Sequence, residues 1–309
     1  KLGTSHYLVT ETDESDPSFS KLAPHLVVLT NLDREHLDNY NNSYSKLEAS
    51  MLELMNAIPF YGKVFINGDD KNSMKILKKI NRGVFTYGFN KKNNIIAKSV
   101  KYVDGKKMQF DIVFSDRNYK VSTNLLGKHN VYNILSAISV CLHLGIPISR
   151  AIKPLQSFFG ASRRFDVYED IYINKHKPII IDDYGHHPTE IDSTLNTINK
   201  LYPGKKVTMI FQPHRFSRTK AYWRLFLDVF KKLDQIILLP TYSAGEKNNS
   251  YDSSFIYQKI RNKNKVLLDS IDAVKNILEN ISFNNSVLVL QGAGDIREIM
   301  NIIKRKDDN

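Results

Sequence analysis

The chain has 309 residues, 42% hydrophobic and 25% charged, which excludes a mostly disordered protein and suggests about two domains. Its single cysteine excludes an internal disulfide framework and a cysteine-based zinc site, and is compatible with a reducing, cytoplasmic setting. No apolar run approaches the roughly 20 residues that cross a bilayer, and residues 1–16 have no signal-like apolar core, so no membrane insertion is expected. The net charge of +12 favours anionic ligands such as phosphate-bearing molecules. The lysines are dispersed in pairs such as Lys78-Lys79 and Lys231-Lys232, without the clustered basic and aromatic face of a nucleic-acid binder, so no nucleic acid is expected as a partner.

In chain order, residues 7–10 and 26–30 read as short strands. Apolar residues at Leu47, Met51, Leu54, Met55 and Ile58 predict a helix over 44–58. A strand over 64–67 closes in the turn Gly68-Asp69-Asp70, and a short helix follows over 73–80. Alternation across 98–114 and 120–123 predicts antiparallel strands. Helices over 131–144 and 149–158 end the first half. The pattern resets at Phe159-Gly160-Ala161-Ser162. Strands over 178–182, 206–211, 235–240, 266–268 and 286–291 then alternate with helices over 188–201, 220–233, 253–262, 271–281 and 296–304. That alternation predicts an α/β fold with a mainly parallel sheet covered on both faces, in two domains, 1–161 and 162–309. Residues 178–182 and 206–211 are expected as adjacent or near-adjacent inner strands. The chain opens on Lys and enters motif-dense sequence at once, which suggests the back portion of a longer protein.

Polar clusters fall where strands hand over to helices. Glu11-Thr12-Asp13-Glu14-Ser15-Asp16 follows the first expected strand, where carboxylates can hold a hard cation, although a solvated acidic turn is the plainer reading of the segment by itself. His36 follows the next strand and is expected to converge with Glu11 on one open cleft. Gly127-Lys128-His129-Asn130 with Asn133 opens a helix, whose free N–H groups favour an anionic or polar ligand, or simply a cap. Asp182-Asp183-Tyr184-Gly185-His186-His187-Pro188 ends a buried strand in two acids and two histidines, an unusual finish for packing alone. Gln212-Pro213-His214-Arg215-Phe216-Ser217-Arg218-Thr219 sets two arginines three apart at a strand end, suited to carboxylate or phosphate. Gly292-Ala293-Gly294 reads as a tight glycine turn, and no phosphate loop of the form G-x-x-x-x-G-K-[ST] occurs in these residues. Together the clusters point to a two-domain enzyme with anionic ligands, and a divalent ion fits them.

These motifs, with Asn56-Ala57-Ile58-Pro59-Phe60-Tyr61-Gly62, Arg163-Arg164-Phe165 and Gln291-Gly292-Ala293-Gly294, resemble in order those of the Mur ligase family. The resemblance implies a partial central ATPase domain without its phosphate loop, followed by a Rossmann-like C-terminal domain. It implies ATP-dependent ligation of L-alanine to UDP-N-acetylmuramate through an acyl phosphate, in cytoplasmic peptidoglycan precursor synthesis. The alternatives are a sister ligase adding a peptide or another amino acid, and a non-catalytic nucleotide-binding remnant. By the same resemblance Glu11 and His36 hold Mg2+; His129, Asn130 and Asn133 surround the adenine; Arg164 approaches the phosphates and Asp183 the ribose; and His186, Arg215 and Arg218 face alanine and the acyl phosphate. The 309 residues alone are expected not to ligate.

Overall fold

Runs such as Val-Phe-Ile and Ile-Ile-Ile place branched side chains where a pleated strand can bury them on both faces, and they become the inner strands of two separate sheets. The computed structural model describes residues 3–103 and 106–307. These form two compact units, 3–103 with 107–124 and 129–158, and 106 with 125–128 and 159–307.

In the first unit six strands lie in chain order: β1 (Leu26–Leu29), β2 (Lys63–Asn67), β3 (Gly83–Gly88), β4 (Ile95–Val103), β5 (Lys107–Phe114) and β6 (Arg117–Thr123). The pairs from β1 to β4 are parallel, and β4, β5 and β6 are antiparallel. Ser115 and Asp116, both at positive φ, make the two-residue turn between β5 and β6 that suits the right-handed strand twist. Helix α1 (Tyr44–Ala57) buries Leu47, Leu54 and Met55 in a core with Val64 and Ile66 of β2. Helix α2 (Lys71–Ile76) is capped by Asp70, which accepts from Ser73 N at 2.8 Å. Helix α3 (Lys128–His143) follows, then the single turn α4 (Ile148–Ala151). The helix expected over 149–158 breaks after α4 into a 3-10 turn at Lys153–Gln156, where Pro154 cannot continue an α-helical ladder.

The strand expected over 7–10 does not form. An extended segment needs a ladder neighbour and a core face, and here Leu8 and Val9 are 90% and 93% exposed. β3 is a strand that the hydrophobic pattern did not single out.

The second unit holds β7 (Asp166–Tyr168), β8 (Ile179–Asp183), β9 (Lys206–Phe211), β10 (Gln235–Leu238), β11 (Lys265–Leu267) and β12 (Ser286–Gln291). Their order is β11-β10-β9-β12-β8-β7, parallel throughout except for the antiparallel edge strand β7. β12, buried along its whole length, separates β8 from β9, so the two expected inner strands are near-adjacent. Helices α5 (Pro188–Leu201), α6 (Phe216–Phe230), α7 (Ser253–Lys259), α8 (Val274–Asn280) and α9 (Glu298–Asp307) complete the unit. The chain leaves β8 and β9 at the point where the strand order switches, the place where open α/β sheets put their ligands.

Candidate functional site

The rim of the second unit is built from the carboxyl ends of β8, β12 and β9. Asp182 and Asp183 end β8 and are both buried. Asp182 is held by Arg163, whose Nε lies 3.0 Å from Oδ1 and whose Nη2 donates to Gly292 O at 2.7 Å. Burial still pushes the Asp182 carboxyl above its usual range, against the pull of that guanidinium. Asp183 accepts from Phe165 N at 3.0 Å, Gly185 N at 2.9 Å and Gln291 Nε2 at 2.6 Å. Its carboxylate therefore organises the turn 184–187 before any ligand arrives. His187 caps α5 with Glu190 as its capping partner; Glu190 Oε2 accepts from the N–H groups of His186 and His187 at 2.9 and 3.0 Å.

His186, His214, Arg215 and Arg218 come together on this rim. The His186 and His214 rings are 5.2 Å apart, and His214 stacks on Tyr242 at 5.4 Å. Arg218 Nη1 lies 3.3 Å from His214 Nδ1. A guanidinium only donates, so that nitrogen accepts and the His214 proton sits on Nε2. His186 Nδ1 lies 3.2 Å from Tyr184 O, a pure acceptor, so the His186 proton sits on Nδ1 and Nε2 carries the lone pair. Burial, then the charge of Arg218, pulls the His186 pKa down to about 4; burial and the His186, Arg218 and Arg215 charges do the same to His214, also to about 4. Both rings are neutral at pH 7.

Helix α6 starts at Phe216, four residues before the start expected at 220, so Arg218 stands in its first turn rather than in a strand-end loop. Arg215 is the residue before the helix, at φ 67°, a backbone conformation that a branched or bulky residue takes only under constraint. Its N–H is held by Tyr242 O at 2.8 Å. Arg164 is half-exposed, over the Tyr184 ring, with Nη1 3.7 Å from Glu190 Oε1.

In the first unit, His129, Asn130 and Asn133 lie in the first two turns of α3, which starts at Lys128, three residues before the start that periodicity suggested. Asn133 Nδ2 donates to Asn130 Oδ1 at 3.4 Å, so the two amides share one helix face. Asp69 accepts from Phe89 N at 2.5 Å, Asn90 N at 3.0 Å, Asn93 Nδ2 at 3.0 Å and Tyr132 OH at 3.0 Å. Although burial raises its pKa, those four bonds outweigh it and lower the pKa overall. They tie the loop after β3 to α3 beside its polar face.

Glu11 is exposed and lies at no strand end, because the strand meant to carry it is absent. His36 sits at φ 50° before a 3-10 turn, Leu37–Tyr40. That turn is tied to the acidic loop: Asn39 Nδ2 donates to Ser15 O at 2.6 Å and Tyr40 OH to Glu14 O at 3.0 Å. Burial, then the charges of Glu35, Asp13 and Asp33, raises the Glu14 pKa. Among the described residues no group of three or more His, Cys, Asp or Glu is arranged to hold a metal. Magnesium commonly takes only one or two protein donors beside phosphate oxygens and waters, so a site on Glu11 and His36 would not need such a group.

Residues 3–141 match the Mur ligase middle domain, and residues 163–294 match the Mur ligase glutamate ligase domain. The chain belongs to the Mur ligase family. It is 40% identical to a UDP-N-acetylmuramate–L-alanine ligase from Vesicomyosocius okutanii, over 98% of this chain and 66% of that protein. It is 37% identical to one from Hydrogenovibrio crunogenus, over 97% and 66%. It thus spans about two thirds of the length of the curated relatives it matches. The fold is shared with a solved UDP-N-acetylmuramate-alanine ligase from Thermotoga maritima at TM-score 0.74 and 23% identity, covering 95% of this chain and 62% of that one.

In this Mur ligase chain, sequence reasoning missed the side chains that shape the rim from beneath. Gln291, wholly buried, binds the turn after β8, and Gln212 accepts from Ile296 N at 3.0 Å and donates to Asp295. Both ended apolar strands and so could have been flagged as buried polar positions. Arg163 and Asp69 were also in view as motif letters, but their partners are set by folding alone.

Proposed function

We propose that this Mur ligase chain carries the nucleotide-side and amino-acid-side residues of an ATP-dependent ligase that joins L-alanine to UDP-N-acetylmuramate in cytoplasmic peptidoglycan precursor synthesis. The observation that carries the reading is the neutral His186 beside Arg218, with Arg215 at the start of the same helix, in a chain 34–40% identical to ligases bearing that activity's name. Arg215 and Arg218 hold the alanine carboxylate and the growing negative charge of the acyl phosphate by charge-assisted hydrogen bonds. His186 Nε2, with its lone pair exposed to no proton at neutral pH, accepts from the attacking amino group and orients it. A ring with a pKa of about 4 is a weak base, so its contribution is orientation rather than storage of the proton.

His129, Asn130 and Asn133 supply the polar face for the adenine, and Arg164 leaves Glu190 for the phosphates. Asp183, at the end of β8, is the group assigned to the ribose. Glu11 and His36 are the residues that would hold Mg2+. When bound, that ion supplies neutralisation of the transferring phosphoryl charge. The ligand set is anionic UDP-N-acetylmuramate, anionic ATP and zwitterionic L-alanine, the first two in keeping with the basic surplus, and includes no nucleic acid.

The test is ADP release by the protein encoded by the complete gene, with UDP-N-acetylmuramate, ATP and Mg2+. Release that depends on L-alanine is expected. Release that answers instead to a peptide or to another amino acid would assign a sister ligase, and nucleotide binding without turnover would assign a remnant.

A further inference from the structure

Gln291 is the last residue of β12, has no exposed surface, and its side chain crosses to the neighbouring strand end. Its Nε2 lies 2.6 Å from Asp183 Oδ1 and 2.7 Å from Gly185 O. Both partners are acceptors, so the amide orientation is forced, and Oε1 is left buried with no hydrogen-bond partner. A buried carbonyl oxygen without a partner is a standing cost that an apolar side chain of the same size would remove. The amide is therefore present for what Nε2 does. It closes a ring with Asp183, whose same oxygen accepts from Gly185 N at 2.9 Å. Gly185 has no room for a side chain: a Cβ there would lie 2.6 Å from Asp183 Oδ1 and 2.8 Å from Gln291 Nε2. On its far side the turn is pinned by Glu190 Oε2, which accepts from His186 N.

We propose that Gln291 is a positioning residue for His186: by bridging Asp183 and Gly185 it fixes the backbone from which the imidazole projects toward Arg218 and His214. The inference rests on the reading of His186 as an amine-orienting group. Gln291 reaches no substrate itself and acts through the turn. Arg218, His214, Glu190, His187 and Tyr184 are the groups that set the environment of the His186 ring, and they belong to elements other than β12. A loosened turn lets the ring move away from them toward water.

The test compares Gln291→Met, which keeps volume and removes the donor, with Gly185→Ala, which breaks the same ring from the other side. Both are made in the protein encoded by the complete gene. The expected result is a 10- to 100-fold rise in KM for L-alanine or fall in kcat/KM for it, of the order that a displacement of about 1 Å produces. The KM for UDP-N-acetylmuramate should stay within about twofold, as a whole-fold defect would not allow, whereas that for ATP is no control because Gln291 also holds Asp183, the residue assigned to the ribose. A second readout needs no turnover: the His186 ring, followed by NMR against pH, should titrate upward from about 4 toward its ordinary value in both variants. If Gln291→Met does not fold, Gly185→Ala carries both readouts. Folded variants with an unchanged alanine KM and an unchanged His186 titration would overturn the proposal. If the wild-type protein shows no alanine-dependent turnover, the functional reading fails, while the NMR comparison still decides whether Gln291 positions His186.

Discussion

Replacing Arg163 by Met should destabilise the second unit by about 3–5 kcal/mol at pH 7, the usual cost of leaving one member of a buried ion pair alone. The structure sets that magnitude. Arg163 and Asp182 side chains are 14% and 5% exposed, Nε lies 3.0 and 3.2 Å from the two Asp182 oxygens, and Nη2 also holds Gly292 O. Methionine fills the stem volume but offers Asp182 no charge. Asp182 already sits above its usual pKa through burial, and without Arg163 it must rise further. The folded state then binds a proton more readily than the unfolded one. The stabilising effect of that proton is complete below the unfolded pKa near 3.8 and is lost as pH rises through the raised folded pKa. Acidification from pH 7 to 5 should therefore recover part of the loss, at most about 1.4 kcal/mol for each pH unit between the two values. The sole tryptophan, Trp223, lies in α6, so its fluorescence during urea unfolding reports this unit. A loss below about 1 kcal/mol, or one that grows on acidification, would refute the account of a buried pair whose carboxylate depends on its guanidinium.

The parts of the fold that the sequence made legible are those whose signal is local. Val287 to Leu290 is an unbroken apolar run and Val207 to Phe211 one interrupted only by Thr208, and such runs mark parallel inner strands. Helix α5 announces itself through His187-Pro188 and Glu190, a cap and its partner within four residues. Residues 7–10 show the opposite case. Tyr-Leu-Val-Thr has strand chemistry, yet strand formation depends on a neighbour supplied by distant sequence, and none pairs with it here. β7 was missed for a related reason, since three residues at a sheet edge carry too little periodicity to be seen. At the site, residue types that bear chemistry were visible: His186 and Arg218 stand near one another around His214. What supports them was not, because Gln291 to Asp183 spans 108 residues and Arg163 to Gly292 spans 129. A hydrogen bond across that separation has no spacing rule. The motifs display residue types that bear chemistry, while the hydrogen bonds that hold them in place follow only from the sheet order.

Asp69→Asn should strip protection from the Phe89 and Asn90 amides in hydrogen exchange and cost the first unit about 1–3 kcal/mol, because an amide cannot accept all four bonds. Since the folded Asp69 pKa is lowered, its stabilisation holds above the unfolded value and fades as pH falls through the folded one; equal protection of these two wild-type amides at pH 6 and pH 3, after correction for intrinsic exchange, would count against it. The 309 residues alone contain no phosphate-loop motif, so this polypeptide should give no alanine-dependent ADP release, and measurable release would contradict that expectation. In the protein encoded by the complete gene, Arg215→Ala and Arg218→Lys should each lower kcat/KM for L-alanine by about 30- to 1000-fold, or about 2–4 kcal/mol. Alanine presents a carboxylate, an ammonium and one methyl, so apolar burial can supply little of its binding and the guanidinium hydrogen bonds must supply most. Lysine at 218 keeps the charge but not the planar fork, and it also loses the second function of this arginine, donation to His214 Nδ1. Partial rescue by lysine would thus be smaller than charge alone implies. Varying L-alanine and ATP separately decides the assignment: if the alanine dependence stays normal while apparent ATP affinity collapses, the arginines are nucleotide ligands, and the amino acid is held elsewhere.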